Sequence, residues 1–304
     1  MAKFLSACLL VTALFCGCGG KQPQGAPDAT ASGKLEVVAT LFPLYDFARE
    51  VGGDRAEVSM LIPPGTDAHS FEPAPRDILA LSTADVFIYT APSMEPWVED
   101  FLAGVRNPAL RVVEAGRGLA EAEADHGHDE DPHIWLDLEY AQKMVDSIAR
   151  AFAAARPAGR DFFLAGAAAY NARLADLDSR IFAAVKGFRH KTIICAGHFA
   201  FGYFARRYGL DYLSPYPGFS PNAEMTPQRL LRLSEAVKKT QIPYIFHEEL
   251  AEPRAAEIIS RETGARLLLL HGAHSVSKEE LEKGTGFLDL MEQNFTNLRL
   301  ALGG

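Results

Sequence analysis

Short apolar runs and amphipathic stretches alternate along most of the chain. Near-continuous apolar runs predict buried strands, and apolar positions three or four apart predict helices. Strands are predicted at 35–40, 57–62, 85–90, 111–113, 192–195, 211–213, 244–246 and 266–270. Helices are predicted from about residue 41 and at 76–82, 96–103, 138–155, 160–186, 199–208, 228–240, 253–263 and 286–302. This alternation of strand and helix is typical of parallel sheets with crossover helices.

The stretch from 160 to 186 stands out because it is one long amphipathic helix. At 1.5 Å per residue such a helix is about 40 Å long, more than a crossover beside one small sheet needs. We therefore predict an α/β fold of two lobes, each with a mainly parallel sheet flanked by helices, joined by one long helix. The predicted boundaries are 35–157 for the N-terminal lobe, 158–187 for the linking helix and 188–304 for the C-terminal lobe.

The first 18 residues have the pattern of an export signal. Lys3 precedes an apolar stretch, Phe4 to Phe15, that is too short to span a bilayer as a helix. Cys18 follows a small residue at its end, which resembles a bacterial lipoprotein cleavage site, so we expect Cys18 to carry a lipid. The alternative is an ordinary secretory signal cleaved nearby. Residues 19–34, rich in Pro, Gly and small polar residues, predict a flexible tether.

Composition and charge narrow the possible partners. The chain has 304 residues, of which 48% are hydrophobic, and this suits two moderate globular domains. Its 30 Lys and Arg against 39 Asp and Glu give a formal charge of −9, a poor match for nucleic acid and a better one for small cations. Three of the four cysteines lie in the N-terminal region, so Cys195 has no partner in the folded body for a disulfide.

Histidines carry the candidate chemistry because several lie where a predicted strand ends or a predicted helix begins. Those at such joints are His69, His133, His198, His271 and His274. Ligands of α/β proteins bind at the carboxyl ends of strands, so these loops are suitable for a site. A single histidine is more often a surface or core residue than a ligand, and spacing alone does not show that these rings converge.

Three segments containing these histidines form a recognisable set. They are Gly65-x-x-x-His69-x-x-Glu72-Pro73, Asp131-Pro132-His133-Ile134-Trp135-Leu136-Asp137 and His198-x-Ala200-Phe201-Gly202-Tyr203-Phe204-Ala205. In this order they resemble the signatures of the metal-binding solute-binding proteins of ABC importers for zinc and manganese. Residues 218–227 resemble the segment that this family carries before its next helix. The resemblance extends over about residues 35–304.

The resemblance implies that a metal ion is held between two lobes joined by a rigid helix. It implies His69, His133 and His198 as three ligands. The family's fourth ligand, usually an aspartate, falls in residues 270–275, which contain no acid. We prefer His274 for this position, with His271 or a water molecule as alternatives. The resemblance further implies an exported periplasmic or cell-surface protein, a monomer and not an enzyme, that passes its ion to the membrane permease of an ABC importer.

Histidine at every matching position favours Zn²⁺ as the transported ligand, since Mn²⁺ prefers carboxylate and water oxygens. A manganese-specific protein of the same family is the alternative.

The segment 121–131 places His126 and His128 among acidic residues, and is either a weak zinc-collecting loop or a solvated acidic loop. Because a ligating imidazole usually donates its other N–H to a carboxylate, Glu72, Asp137 and Glu248 are candidates for that role.

A zinc-dependent hydrolase is the competing class of function. His247-Glu248 begins like the metalloprotease motif His-Glu-x-x-His, but Ala251 stands where the second histidine is required. The sequence has no Gly-x-Ser-x-Gly elbow and no phosphate-binding loop. A surface adhesin of the same fold is a third possibility.

Overall fold

The computed structural model describes residues 33–119, 131–215, 226–250 and 253–303. Contacts hold Lys34–Gly304 together as one compact unit. The predicted export signal, Cys18, nearly all of the tether, and the pair His126 and His128 lie outside the described residues. Within the described ranges, no helix is both long enough and apolar enough to cross a membrane.

The N-terminal half contains a four-stranded parallel sheet in the order β2-β1-β3-β4. Its strands are β1 (Leu35–Ala39), β2 (Ala56–Met60), β3 (Val86–Tyr89) and β4 (Arg111–Glu114). The helices between them are α1 (Phe42–Gly52), α2 (Pro75–Leu81) and α3 (Val98–Ala103). Val37 pairs with Val58 on one side and Val86 on the other. Helices cover this sheet, so its central strands are almost wholly apolar.

Two long helices follow, α4 (Leu138–Ala155) and α5 (Arg160–Gly187). The carboxylate of Asp137 begins α4 by accepting hydrogen bonds from the backbone N–H groups of Glu139 and Tyr140. Pro157 separates the two helices. One face of α5 is buried, and it packs against both α4 and α1. The single long helix predicted over 160–186 is thus confirmed.

The C-terminal half repeats the α/β alternation. Its strands are β5 (Thr192–Ile194), β6 (Asp211–Leu213), β7 (Tyr244–His247) and β8 (Arg266–Leu269). Parallel pairs form between β5 and β6 and between β7 and β8, and a parallel bridge from Cys195 to Phe246 joins the two pairs. The helices are α6 (Gly202–Tyr208), α7 (Pro227–Thr240), α8 (Arg254–Thr263), α9 (Lys278–Glu282) and α10 (Phe287–Leu302).

Two elements differ from the sequence prediction. The helix predicted from residue 199 begins at Gly202, because Phe199 and Phe201 are both buried and Phe199 stacks on the ring of Tyr212 at 4.0 Å. Burial on more than one side removes the amphipathic pattern of a helix start. The short helix α9 was not predicted; it begins at a capping box in which Ser277 and Glu280 bond to each other's backbone N–H groups.

One continuous core joins the two halves. Its buried side chains include Val37 of β1, Trp135 ahead of α4, Phe204 of α6 and Phe287 of α10. A shared core of this kind resists wide separation of the halves, since opening would expose apolar surface to water. The predicted α/β fold, with parallel sheets flanked by helices and one long helix, is therefore confirmed, and the two halves are in extensive contact.

Candidate metal site

Three separate loops bring histidines to one point between the halves. His69 lies in a 3-10 turn, Ala68–Ser70, that follows β2, and the carboxylate of Asp67 accepts a hydrogen bond from its backbone N–H at 3.0 Å. His133 directly precedes the 3-10 turn Ile134–Leu136 that leads into α4. His198 follows β5, in the extended segment before α6.

The three rings face one another closely. One nitrogen from each of His69, His133 and His198 lies within 4.8 Å of the others. Nε2 of His69 and Nε2 of His133 are 3.2 Å apart. Zinc–nitrogen bonds of 2.0–2.1 Å at a tetrahedral angle place two ligand atoms about 3.3 Å apart. The separation of these two nitrogens is therefore that of neighbouring ligands on one tetrahedral ion.

His274 stands beside this group, in the loop that follows β8. Its ring centroid is 5.6 Å from that of His69 and 6.3 Å from that of His133, and the residue is buried. Its neighbour Ala273 has a positive φ of 60°, an uncommon conformation for a residue other than glycine. This residue immediately precedes His274 in the chain.

His271 has different surroundings from His274. Its backbone N–H and C=O both bond to the side chain of Asn294 on α10, at 2.8 Å each. Its Nδ1 accepts the backbone N–H of Ala273 at 3.0 Å, and its Nε2 lies 3.7 Å from Glu280. Of the two histidines considered for the fourth position, His274 is the one whose ring lies next to His69.

Burial favours the uncharged form of His69 and His133. It lowers the pKa of His69 to about 4, with added repulsion from His274 and His198. Burial also holds the pKa of His133, which is fully buried, well below its ordinary value. A neutral imidazole has a free nitrogen lone pair, which is the form that binds metals.

Two carboxylates, that of the buried Asp131 and that of the half-buried Glu248, lie beside the outer nitrogens of two of these rings. Oδ1 of Asp131 lies 2.7 Å from Nδ1 of His133, and Oε2 of Glu248 lies 3.4 Å from Nδ1 of His198. Each carboxylate also accepts the backbone N–H of its histidine at 3.0 Å. A carboxylate at Nδ1 favours the proton there and leaves Nε2 free to bind a metal.

The prediction of these carboxylates was only partly right. Glu248 is at the site as predicted. Asp137 instead begins α4 and pairs with Arg207 at 3.2 Å, and Glu72 is exposed to solvent. Asp131 was missed, although its position two residues before His133 is the available signal, since Asp side chains commonly bond the backbone two residues ahead. Burial raises the pKa of Asp131 to about 7.

Two hydrogen bonds tie loops from opposite halves together at the site. Nε1 of Trp135 donates to the backbone carbonyl of Gly272 at 2.8 Å. Trp135 lies two residues after His133 in the chain. The backbone N–H of Gly65, in the loop of His69, donates to the carbonyl of Val276 at 2.7 Å. The loop that carries His274 is therefore connected to both histidine loops of the N-terminal half.

The family described as "Zinc-uptake complex component A periplasmic" (ZnuA) matches residues 37–301. The chain belongs to this family. The high-affinity zinc uptake system protein ZnuA of Bacillus subtilis (strain 168) is 32% identical over an alignment of 311 positions, which covers 98% of this chain and 96% of that protein. The zinc-binding lipoprotein AdcA of Streptococcus pneumoniae (strain ATCC BAA-255 / R6) is 34% identical over an alignment of 282 positions, which covers 88% of this chain but 56% of AdcA.

A solved structure of the same family has the same fold. The Zn(II)-bound ZnuA-like domain of Streptococcus pneumoniae AdcA superimposes with a TM-score of 0.78 at 33% identity, covering 90% of this chain and all of that domain. The resemblance drawn from the histidine motifs is thus confirmed. Members of the ZnuA family are solute-binding proteins of metal uptake and not enzymes, and membership places the protein outside the cytoplasm.

Proposed function

We propose that the protein captures Zn²⁺ between its two halves and delivers it to the membrane permease of an ABC importer. The ligands are His69, His133 and His198, with His274 as the fourth. The observation that carries the proposal is the meeting of three histidine nitrogens within 4.8 Å, from loops of both halves. The zinc-binding relatives of the chain support the same assignment.

The chemistry of the ligands favours zinc over manganese. Four imidazole nitrogens suit Zn²⁺, whereas Mn²⁺ prefers oxygen ligands and higher coordination numbers. Asp131 and Glu248 lie behind histidine rings, so neither carboxylate belongs to the proposed inner set. Manganese should therefore bind more weakly than zinc.

Capture and release fit movement of loops better than wide opening of the halves. The shared core holds the halves together, and α5 passes along both. The bond from Gly65 to Val276 links the His69 loop to the His274 loop. We infer that these two loops shift together when the ion enters or leaves, while His133 and His198 stay on their buried segments.

The remaining parts of the chain complete the proposal. Residues 1–18 direct export, and Cys18 carries a lipid that anchors the protein to a membrane through the tether 19–34. The lobes are assigned to 35–157 and 188–304, with 158–187 as the helix between them. The protein acts as a monomer. Relatives named as lipoproteins support the anchor.

Competition titration of zinc against a chromophoric chelator tests the site. His69→Ala, His133→Ala and His198→Ala should each weaken zinc binding by more than about 100-fold, because loss even of an outer carboxylate partner typically costs 10–100-fold. His190→Ala, a histidine away from the cluster, is the matched control and should bind like the wild type. Unchanged affinity in all three site variants would refute the assignment.

Delivery needs a test in cells. In a strain that lacks this protein, the wild-type chain should restore growth in chelator-depleted medium, and His198→Ala should not. Added zinc should restore growth without the protein, whereas added manganese should not. Growth restored by manganese alone would instead assign the protein to manganese uptake.

A further inference from the structure

Glu249 is a buried acid that follows β7, beside the loop of His274. Its Oε2 accepts the backbone N–H of Gly272 at 2.8 Å. Its Oε1 lies 3.4 Å from Nδ1 of His274 and 3.5 Å from Nδ1 of His271. Among the described residues, Oε1 of Glu249 and Nδ1 of His274 are both buried atoms that lack a hydrogen-bond partner. Two such atoms facing each other indicate a donor and an acceptor that can pair with a small movement.

His271 cannot supply the proton that Glu249 would accept. Its Nδ1 already accepts the backbone N–H of Ala273, so the lone pair and not the proton is on that nitrogen. The proton of a neutral His271 is then on Nε2, which faces Glu280 on α9. His274 is therefore the donor available to Glu249.

A glycine keeps the space between these groups open. A Cβ at Gly272 would lie 3.0 Å from Nδ1 of His274 and 3.3 Å from Oε1 of Glu249. Both distances are tight enough to displace one of the two side chains. The loop thus has its smallest residue at the point where the acid approaches the ring.

We propose that Glu249 is a positioning residue that accepts a hydrogen bond from Nδ1 of His274 and so presents Nε2 of that ring to the zinc ion. This inference rests on the proposed function, because it needs His274 as a ligand. It extends to the fourth ring the arrangement seen at His133 with Asp131 and at His198 with Glu248. Without the acid, either ring nitrogen of His274 could hold the proton, and only one tautomer presents a free Nε2.

A double-mutant cycle on zinc affinity tests the inference. Glu249→Gln should weaken zinc binding by about 10–100-fold in the wild-type background. In the His274→Ala background it should have almost no further effect, because Glu249 acts through that ring. Glu280→Gln is the control: it removes a carboxylate from the other side of His271 and keeps an α9 capping residue, so zinc affinity should not change.

The outcomes separate the inference from the proposed function. An equal loss from Glu249→Gln in both backgrounds, or no loss in either, overturns the inference but leaves the three-histidine site in place. Unchanged affinity in His274→Ala also overturns it, while the His69, His133 and His198 variants still report on the site. A wild-type protein that does not bind zinc refutes the proposed function itself.

A second measurement uses the unmodified protein, so it does not depend on how the variants fold. Long-range ¹H–¹⁵N correlation spectra of the zinc-loaded wild type report which nitrogen of each histidine holds the proton. His274 should show a protonated Nδ1 and a zinc-bound Nε2. A ring with its proton on Nε2, or bound through Nδ1, would overturn the role of Glu249.

Discussion

Nε2 of His69 and Nε2 of His133 lie 3.2 Å apart, although 64 positions separate the residues in the chain. Nδ1 of His133 is 2.7 Å from the carboxylate of Asp131. A carboxylate at this position favours the proton on Nδ1, so the lone pair on Nε2 faces His69. The acid two residues before His133 thus favours the tautomer in which Nε2 of that ring is free.

Asp131→Asn should therefore weaken zinc binding by about 10–100-fold without removing a ligand. The amide can donate to Nδ1 of His133 and so favour the tautomer whose Nε2 is protonated. Competition titration against a chelator measures the change. Asp161→Asn, at an exposed position of α5, is the control; equal affinity in the two variants would contradict the role given to Asp131.

Trp135→Phe should destabilise the zinc-free protein by about 1–3 kcal/mol, because it leaves the carbonyl of Gly272 without its donor. It should also weaken zinc binding, since Gly272 belongs to the loop of His274. Denaturant unfolding measures the first effect. Trp97→Phe is a matched control: its buried Nε1 has no hydrogen-bond partner within the described part of the chain, so no such bond is lost. A cost as large in Trp97→Phe would argue against the bond.

Arg207 on α6 joins three helices. Its guanidinium bonds both oxygens of Asp178 on α5, at 2.7 and 2.6 Å, and reaches Glu139 on α4 at 2.9 Å. Lysine cannot make this fork, so Arg207→Lys should lower the free energy of unfolding by about 1–3 kcal/mol. Arg206→Lys, at the exposed neighbouring position, should cost less. Equal stability of Arg207→Lys and wild type would show that the network contributes little.

The low pKa of His69 predicts an acid sensitivity of the zinc-free protein. In the folded chain this pKa is about 4, against an ordinary value of 6.5. Below pH 6.5 the unfolded chain therefore binds a proton at His69, whereas the folded chain does not bind it until the pH falls to about 4. As pH falls through this range, wild-type stability should drop relative to His69→Gln by up to about 1.4 kcal/mol per pH unit. Urea unfolding at several pH values tests this; a constant difference from pH 7 to 4 would contradict it.

Local patterns were sufficient to predict most of the fold. Apolar runs marked the strands, and the spacing along α5 marked one long helix, because both signals are local. The predicted start of α6 at residue 199 was wrong, because Phe199 and Phe201 are buried by partners that are distant in the chain, including Tyr212. A short element such as α9 depends on one capping box, which a polar stretch does not reveal.

The site could be predicted only in part for the same reason. His69, His133 and His198 lie in recognisable motifs at the joints of elements, and the structure brings them together. Glu249 is in a different loop from His274, so their approach depends on the pairing of β7 with β8 and on the absence of a side chain at Gly272. No sequence pattern relates them.

We propose that imidazoles from both halves of the chain bind one zinc ion together. The direct test is a crystal of the zinc-loaded protein, with anomalous data collected on both sides of the zinc absorption edge. We expect one strong peak per chain, with Nε2 atoms of His69, His133, His198 and His274 at about 2.0–2.1 Å. A peak elsewhere on the surface, with these four rings turned away from it, would contradict zinc binding by these imidazoles.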